Sequence, residues 1–246
     1  MKNFYEKELL ISATYVDQRC EVGVFQAALL VQDGMTEMFH QYQCDALRMS
    51  KTHGALWAVA RTKLFYERDV FWMDRVRLKA FPVKVSSVAV HLNFLLEALD
   101  GTPLIRGRQE MCAIDVDGHS LRRVETTPFP MDMELLPPVF TEPYQRRKLK
   151  LGEEDLVYRY RVRTMDTDMN GHLNNVNYIR LLLDVRPSAF WDAHRVRDFD
   201  IHYVNEGMEG DALEVCCQEE EGLLSVLIKC GETSLVKAFL VLEDRV

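Results

Sequence analysis

The chain has 246 residues, enough for one large domain or for two of roughly 120 residues, each with its own core. An apolar content of 48% beside 28% charged residues excludes a disordered chain. A net charge of −8 and a pI near 5.4 exclude general nucleic-acid binding, which needs a basic face.

The N-terminal stretch is broken by Glu6, Lys7 and Glu8 and shows no cleavage-site pattern. No apolar run approaches the ~20 residues that span a bilayer. The expectation is a soluble, cytoplasmic protein without stable membrane insertion. The first long element is a helix: Val24, Ala27, Ala28, Val31, Met35, Met38 and Tyr42 recur at steps of three and four, one apolar face. The period then changes. Val83 to Leu96 and Leu104 to Val116 are rich in β-formers, with Asp100-Gly101 and Asp117-Gly118 as turn signals.

Five of the eight prolines fall between Pro128 and Pro143. Proline fixes φ and removes a backbone donor, so this stretch is neither helix nor central strand. It reads as an extended connector over 128–150, between an N-terminal domain at 1–127 and a C-terminal domain at 151–246. The second half repeats the order of the first. A strand from Leu156 to Val162 precedes a helix capped by Asn174 or Asn175, with Val176, Ile179, Leu182 and Leu183 on its face and Pro187 near its stop. Strands follow at Leu213 to Cys217, Leu223 to Lys229 and Leu235 to Leu242, with Gly222 and Gly231 between them. Residues 64–74 (LFYERDVFWMD) also lie over 201–211 (IHYVNEGMEGD) without a gap, which suggests duplication. One helix laid on an antiparallel sheet, present twice, is an α+β architecture in which each helix buries its stripe against its own sheet.

Asp166, Asp168, Asn170, His172, Asn174 and Asn175 crowd into ten residues just ahead of the second helix. Turns and capping account for some of these polar groups, but capping needs neither His172 nor the groups upstream of it. A helix N-terminus offers unpaired N–H groups and the positive end of a dipole, which polarise a carbonyl oxygen and stabilise an oxyanion. Gly171 permits a tight turn between Asn170 and His172.

The run D-x-N-x-H-x-N-N-x-x-Y, here Asp168, Asn170, His172, Asn174, Asn175 and Tyr178, resembles the acyl-ACP thioesterases of plants and bacteria. The resemblance extends along most of the chain, and LWAVARTKLFY (56–66) is similar to the family's strand after its first long helix. It implies a double hot-dog fold, two antiparallel sheets each wrapping a long helix in tandem. It also implies hydrolysis of fatty acyl-ACP to free fatty acid and holo-ACP, as in fatty acid biosynthesis. In the family a catalytic Glu follows an aromatic residue by three positions, which points to Tyr203 and Glu206. Some members carry a Cys directly after that Glu; this chain has Gly207. Cys216 and Cys217, on alternate faces of an expected strand, read as core and surface, so direct water attack is favoured over an acyl-enzyme.

The roles implied are Glu206, with His172, as general base, Asn170 orienting the water or thioester, and Asp168 positioning Asn170 and His172. Amides near Leu173 and Asn174 would take the carbonyl oxygen. Asn174, Asn175 and Tyr178 would contact substrate, and Met35, Met38 and Phe39 would meet the acyl chain in the first half. The segment Asp17-Gln-Arg-Cys-Glu-Val-Gly ahead of the first helix has no Asn-x-His, so one active site is expected. No cofactor and no metal is expected, since the six cysteines form no CxxC pair. The partner that the resemblance implies is acyl carrier protein, which is strongly acidic. Two basic clusters could receive it: Arg146, Arg147, Lys148 and Lys150, or Arg75, Arg77 and Lys79. Three alternatives stay open: an acyl-CoA thioesterase of the same fold, a non-catalytic lipid-binding hot-dog, and an enoyl-thioester hydratase. Either a monomer or a homodimer is compatible with the sequence.

Overall fold

The computed structural model describes residues 2–116 and 120–245; the Asp117-Gly118 turn signal lies outside them. The chain divides into two compact units, Met1–Glu142 and Pro143–Val246.

The N-terminal unit runs β1 (Tyr5–Leu10), α1 (Val24–Gln41), α2 (Ala46–His53), β2 (Ala55–Tyr66), β3 (Arg75–Val85), β4 (Ala89–Ala98) and β5 (Pro103–Asp115). Its strands pair antiparallel in the order β1-β3-β4-β5-β2. The helical spacing read from the sequence holds: Val24, Ala27, Ala28, Val31, Met35, Met38 and Tyr42 are all buried, and α1 packs on β3 and β1. Each buried Val or Met among them contributes about 1.5–3 kcal/mol over leaving it in water.

Two features differ from the sequence expectation. Helix α2 was not foreseen, although its ends carry ordinary signals. The Asp45 carboxylate accepts from the Arg48 amide at 3.1 Å, and Gly54 closes the helix at φ 58°. The stretch from Val83 to Leu96 is two strands, because Ser86 turns the chain: its amide donates to Ala89 O at 2.8 Å and its hydroxyl accepts from the Ala89 amide at 3.0 Å.

The C-terminal unit runs β6 (Leu156–Arg161), α3 (Asn175–Leu183), α4 (Ser188–Ala193), β7 (His194–Tyr203), β8 (Ala212–Glu220), β9 (Leu223–Cys230) and β10 (Thr233–Asp244). Its order, β6-β8-β9-β10-β7, is the same permutation as in the first unit. Its main helix has nine residues where α1 has 18, because the chain leaves the helix at Asp184 and Pro187, without an amide proton, begins α4 instead. Val176, Tyr178, Ile179 and Leu182 form its buried face. Each unit is a hot-dog, and the chain is a double hot-dog of α+β class. Among the described residues no helix is long and apolar enough to cross a membrane.

The ungapped match of 64–74 with 201–211 is carried into hydrogen bonding. The Phe71 amide donates to the Asp74 carboxylate at 2.8 Å, and the Met208 amide to the Asp211 carboxylate at 2.8 Å. Ile11 N donates to Asp74 O at 2.9 Å, and Val162 N to Asp211 O at 3.0 Å. The same loop has been built twice.

Candidate active site

Asp168 organises the turn ahead of α3. Its Oδ1 accepts from the Asn170 amide at 2.8 Å and the His172 amide at 3.3 Å. Its own amide donates to His172 O at 2.8 Å, and its carbonyl accepts from Gly171 N at 3.0 Å. Gly171 sits at φ 81°, a conformation most side chains resist. Asp168 thus positions the backbone of Asn170 and His172 rather than their side chains. Asn170 is exposed at the tip.

The turn is tied down at both ends. Asp166 is buried in a 3-10 turn (Thr164–Asp166), where its carboxylate accepts from Tyr160 Oη at 2.7 Å, the Arg163 amide at 2.9 Å and Arg180 at 2.7 Å. Burial raises the Asp166 pKa, and these three donors outweigh it, holding the group below the ordinary aspartate value. Its carbonyl accepts from Asn174 N and from the Asn177 side chain, both at 2.9 Å. In the sequence Asp166 is one member of a polar cluster; its anchoring role needs Tyr160 and Arg180, which surround it only in the fold.

Asn174 is the N-cap of α3, its Oδ1 accepting from the Val176 amide at 3.1 Å. Leu173 N donates to Gly207 O at 2.8 Å and Asn174 N to Asp166 O at 2.9 Å. The two amides expected to receive a carbonyl oxygen are therefore already engaged. Among the described residues the Asn175 amide is the one at this helix start with no hydrogen-bond partner, while the Asn175 carbonyl accepts from Tyr203 Oη at 3.1 Å. The orphan donor of the helix end lies one residue further along than the sequence suggested.

The strand end brings in the distant carboxylate. His172 pairs with Met208 as an isolated bridge, and this registers the turn against the β7–β8 loop. His172 Nε2 lies 3.4 Å from Glu206 Oε2, with the imidazole 17% and the carboxylate 41% exposed. That is longer than an ideal hydrogen bond and of the kind that tightens around substrate. Tyr178 is buried, its ring edge-on to Tyr203 with centroids 6.1 Å apart, so among the residues expected to touch substrate it alone in this motif is packed inside.

The remaining expected residues fall elsewhere. Met35, Met38 and Phe39 are buried in the N-terminal unit, and Phe39 stacks on Trp57 at 5.1 Å between centroids. Cys216 and Cys217 are both buried, a correction to the core-and-surface reading. The strand has apolar cover on both faces there, and burial pushes the Cys217 thiol up to about 11. Such a thiol is protonated at neutral pH and a poor nucleophile. Of the two basic clusters, Arg77 pairs with Glu8 at 2.7 Å and Glu97 at 3.1 Å, and Lys79 with Glu97 at 2.6 Å. Arg146, Arg147, Lys148 and Lys150 are exposed, and among the described residues none of the four has an ion-pair partner.

Residues 149–240 match the family model described as Acyl-ACP thioesterase C-terminal domain. Oleoyl-acyl carrier protein thioesterase 2, chloroplastic, from Arabidopsis thaliana is 23% identical over 178 residues, 68% of this chain and 48% of that protein. Dodecanoyl-[acyl-carrier-protein] hydrolase, chloroplastic, from Umbellularia californica is 25% identical over 169 residues, 65% of this chain and 43% of its own length. The chain thus spans less than half the length of these relatives. Among solved structures, an acyl-ACP thioesterase from Bacteroides thetaiotaomicron superposes with a TM-score of 0.86 at 18% identity, covering 98% of both chains. The 12:0-ACP thioesterase from Umbellularia californica gives 0.82 at 16% identity, covering 100% of this chain and 99% of that one. At these identities the structural likeness establishes the fold.

Proposed function

We propose that this chain, a member of the acyl-ACP thioesterase family through its C-terminal unit, hydrolyses fatty acyl-ACP to free fatty acid and holo-ACP. The observation that carries the reading is the His172–Glu206 pair, 3.4 Å apart, beside the start of α3. Glu206, with His172, takes a proton from water as its oxygen attacks the thioester carbonyl. The oxyanion is received at the Asn175 amide and the positive end of the helix. Asn170, exposed at the tip of the turn, orients the water or the thioester. As the tetrahedral adduct collapses the C–S bond breaks, and the base returns the proton taken from water to the departing sulfur, which leaves as the thiol of holo-ACP. With Cys217 buried and protonated, no acyl-enzyme is required.

The carrier is received by the Arg146, Arg147, Lys148 and Lys150 cluster, since Arg77 and Lys79 of the other cluster are already paired with Glu8 and Glu97. The six free cysteines suit a reducing compartment, and we place the reaction in the cytoplasm. Hydrolysis of acyl-ACP and acyl-CoA of equal chain length, measured side by side, is expected to favour acyl-ACP and to yield free acid. Replacing the four cluster residues by Ala should raise KM for acyl-ACP roughly tenfold at low salt, a modest electrostatic steering effect, and leave acyl-CoA hydrolysis unchanged. Equal use of both thioesters would point instead to an acyl-CoA thioesterase, and a hydroxyacyl thioester product to a hydratase.

We assign the acyl chain to Met35, Met38 and Phe39 of the N-terminal unit, where thioether side chains accommodate a flexible tail. Met35→Phe and Met38→Phe are expected to shift preference towards shorter acyl groups across an acyl-ACP panel. An unaltered chain-length profile in both variants would return these residues to core packing alone.

A further inference from the structure

Tyr178 on α3 faces Gly207 in the β7–β8 loop. A Cβ added to Gly207 would stand 2.7 Å from Tyr178 Oη, 3.3 Å from Leu235 Cδ1 and 3.6 Å from Leu173 Cβ. The first distance is one that real side chains do not tolerate, so the phenol already occupies the space a residue at 207 would need. The N-terminal unit carries the same backbone with the opposite choice. Its helix is capped at Gly23 where α3 is capped at Asn174. Ala27 N donates to Gly23 O at 2.8 Å as Tyr178 N does to Asn174 O at 3.3 Å, and Val22 N donates to Val70 O as Leu173 N does to Gly207 O, both at 2.8 Å. Ala27 therefore corresponds to Tyr178, and Val70 to Gly207. All three side chains are buried: Ala27 at 3%, Val70 at 1% and Tyr178 at 2% exposure. One unit places the bulk on the loop, the other on the helix, as close packing demands of a compensated exchange.

The exchange alters chemistry as well as volume. It brings a hydroxyl into the C-terminal core, where a buried polar group carries a cost unless something compensates. Among the described residues Tyr178 Oη has no hydrogen-bond partner; it packs against the Cα of Gly207, and burial pushes the phenol up, with the nearby Gly207 backbone offsetting part of that push. The residue next to Glu206 is thereby confined from two sides, its carbonyl held by the Leu173 amide and its Cα packed against the phenol. In the N-terminal unit, where the helix residue is apolar, the turn has Arg19 for Asn170 and Glu21 for His172, and its loop has Asp69 for Glu206. The hydroxyl accompanies the imidazole–carboxylate pair.

We infer that Tyr178 is a positioning residue, whose phenol takes the place of a side chain at 207 and sets Glu206 opposite His172. The inference rests on the hydrolytic reading of that pair and adds to it why position 207 is bare. A four-protein cycle tests it: wild type, Tyr178→Phe, Gly207→Ala and the double variant, with His172→Ala as reference, each assayed for melting temperature and for kcat and KM on acyl-ACP. Gly207→Ala should lower both melting temperature and kcat, and adding Tyr178→Phe should restore the melting temperature, because the clashing oxygen is gone. Tyr178→Phe alone should keep KM and melting temperature and lower kcat roughly tenfold, mid-range for coupling between contacting residues. Wild-type kcat in Tyr178→Phe, or no thermal recovery in the double variant, overturns the inference. Full activity in His172→Ala instead overturns the hydrolytic reading, while the melting temperatures still report the packing exchange.

Discussion

Glu206→Ala should lower kcat for acyl-ACP by about two to four decades, the usual worth of a positioned general base. The carboxylate lies within 3.4 Å of His172 Nε2 and is 41% exposed. Its removal therefore disturbs no core, and folding stability should move by less than about 0.5 kcal/mol. Glu206→Gln keeps the shape and removes the basic oxygen, so it should fall nearly as far; a mild effect there would mean the residue works by shape. His172→Ala should fall by a comparable factor. Because the pair acts as a unit, the double variant should be no worse than the poorer single one. Single-turnover hydrolysis, with enzyme in excess of acyl-ACP and above KM, reads the chemical step directly. Near-normal turnover in Glu206→Ala removes Glu206 from the mechanism, and losses that multiply in the double variant separate its role from that of His172. Cys216→Ala and Cys217→Ala serve as controls: both thiols are buried and pushed up by desolvation, and turnover should survive their loss.

The parts of the fold and of the site that were legible in the sequence are those written in local spacing. The α1 stripe, the Asn174 cap and the dense turn from Asp166 to Asn175 all act within one or two helical turns, and the structure places them as the pattern implied. Glu206 is different. It lies 34 positions beyond His172 and looks like an ordinary loop acid; resemblance to a family singled it out, and only the pairing of His172 with Met208 explains its approach. The engaged amides of Leu173 and Asn174 were illegible for the same reason, since their acceptors are the carbonyls of Gly207 and Asp166 and no side-chain pattern marks a carbonyl. Cys217 misleads a period-two reading because its strand is covered on both faces. Helix α2 was readable from Asp45 and Gly54, but its single fully buried residue, Met49, gives no apolar stripe to notice.

Asp166→Ala should destabilise the protein by roughly 2–4 kcal/mol, since a buried carboxylate that takes three hydrogen bonds leaves its donors stranded when removed. The carboxylate is 5% exposed, whereas Arg180 is 44% exposed, so the Arg180 bond counts least and the Tyr160 hydroxyl and Arg163 amide count most. Asp166→Asn should cost less, because an amide oxygen still accepts from two of them. The folded carboxyl titrates below its ordinary value of 3.8, so its stabilisation is complete at neutral pH and is lost as pH falls below about 4, when the native state too must take up the proton. Denaturant unfolding of wild type and Asp166→Asn should therefore show a gap that is widest near pH 7 and closes on acidification. A constant gap would mean that packing, not charge, is what Asp166 supplies. Activity should fail before the fold does. The Asp166 carbonyl holds the Asn174 amide and the Asn177 side chain, so loosening this residue frees the helix start from the turn that carries His172. At a temperature where Asp166→Asn is still folded by circular dichroism, kcat should already be reduced with KM little changed; unaltered kcat there would detach the anchor from the chemistry.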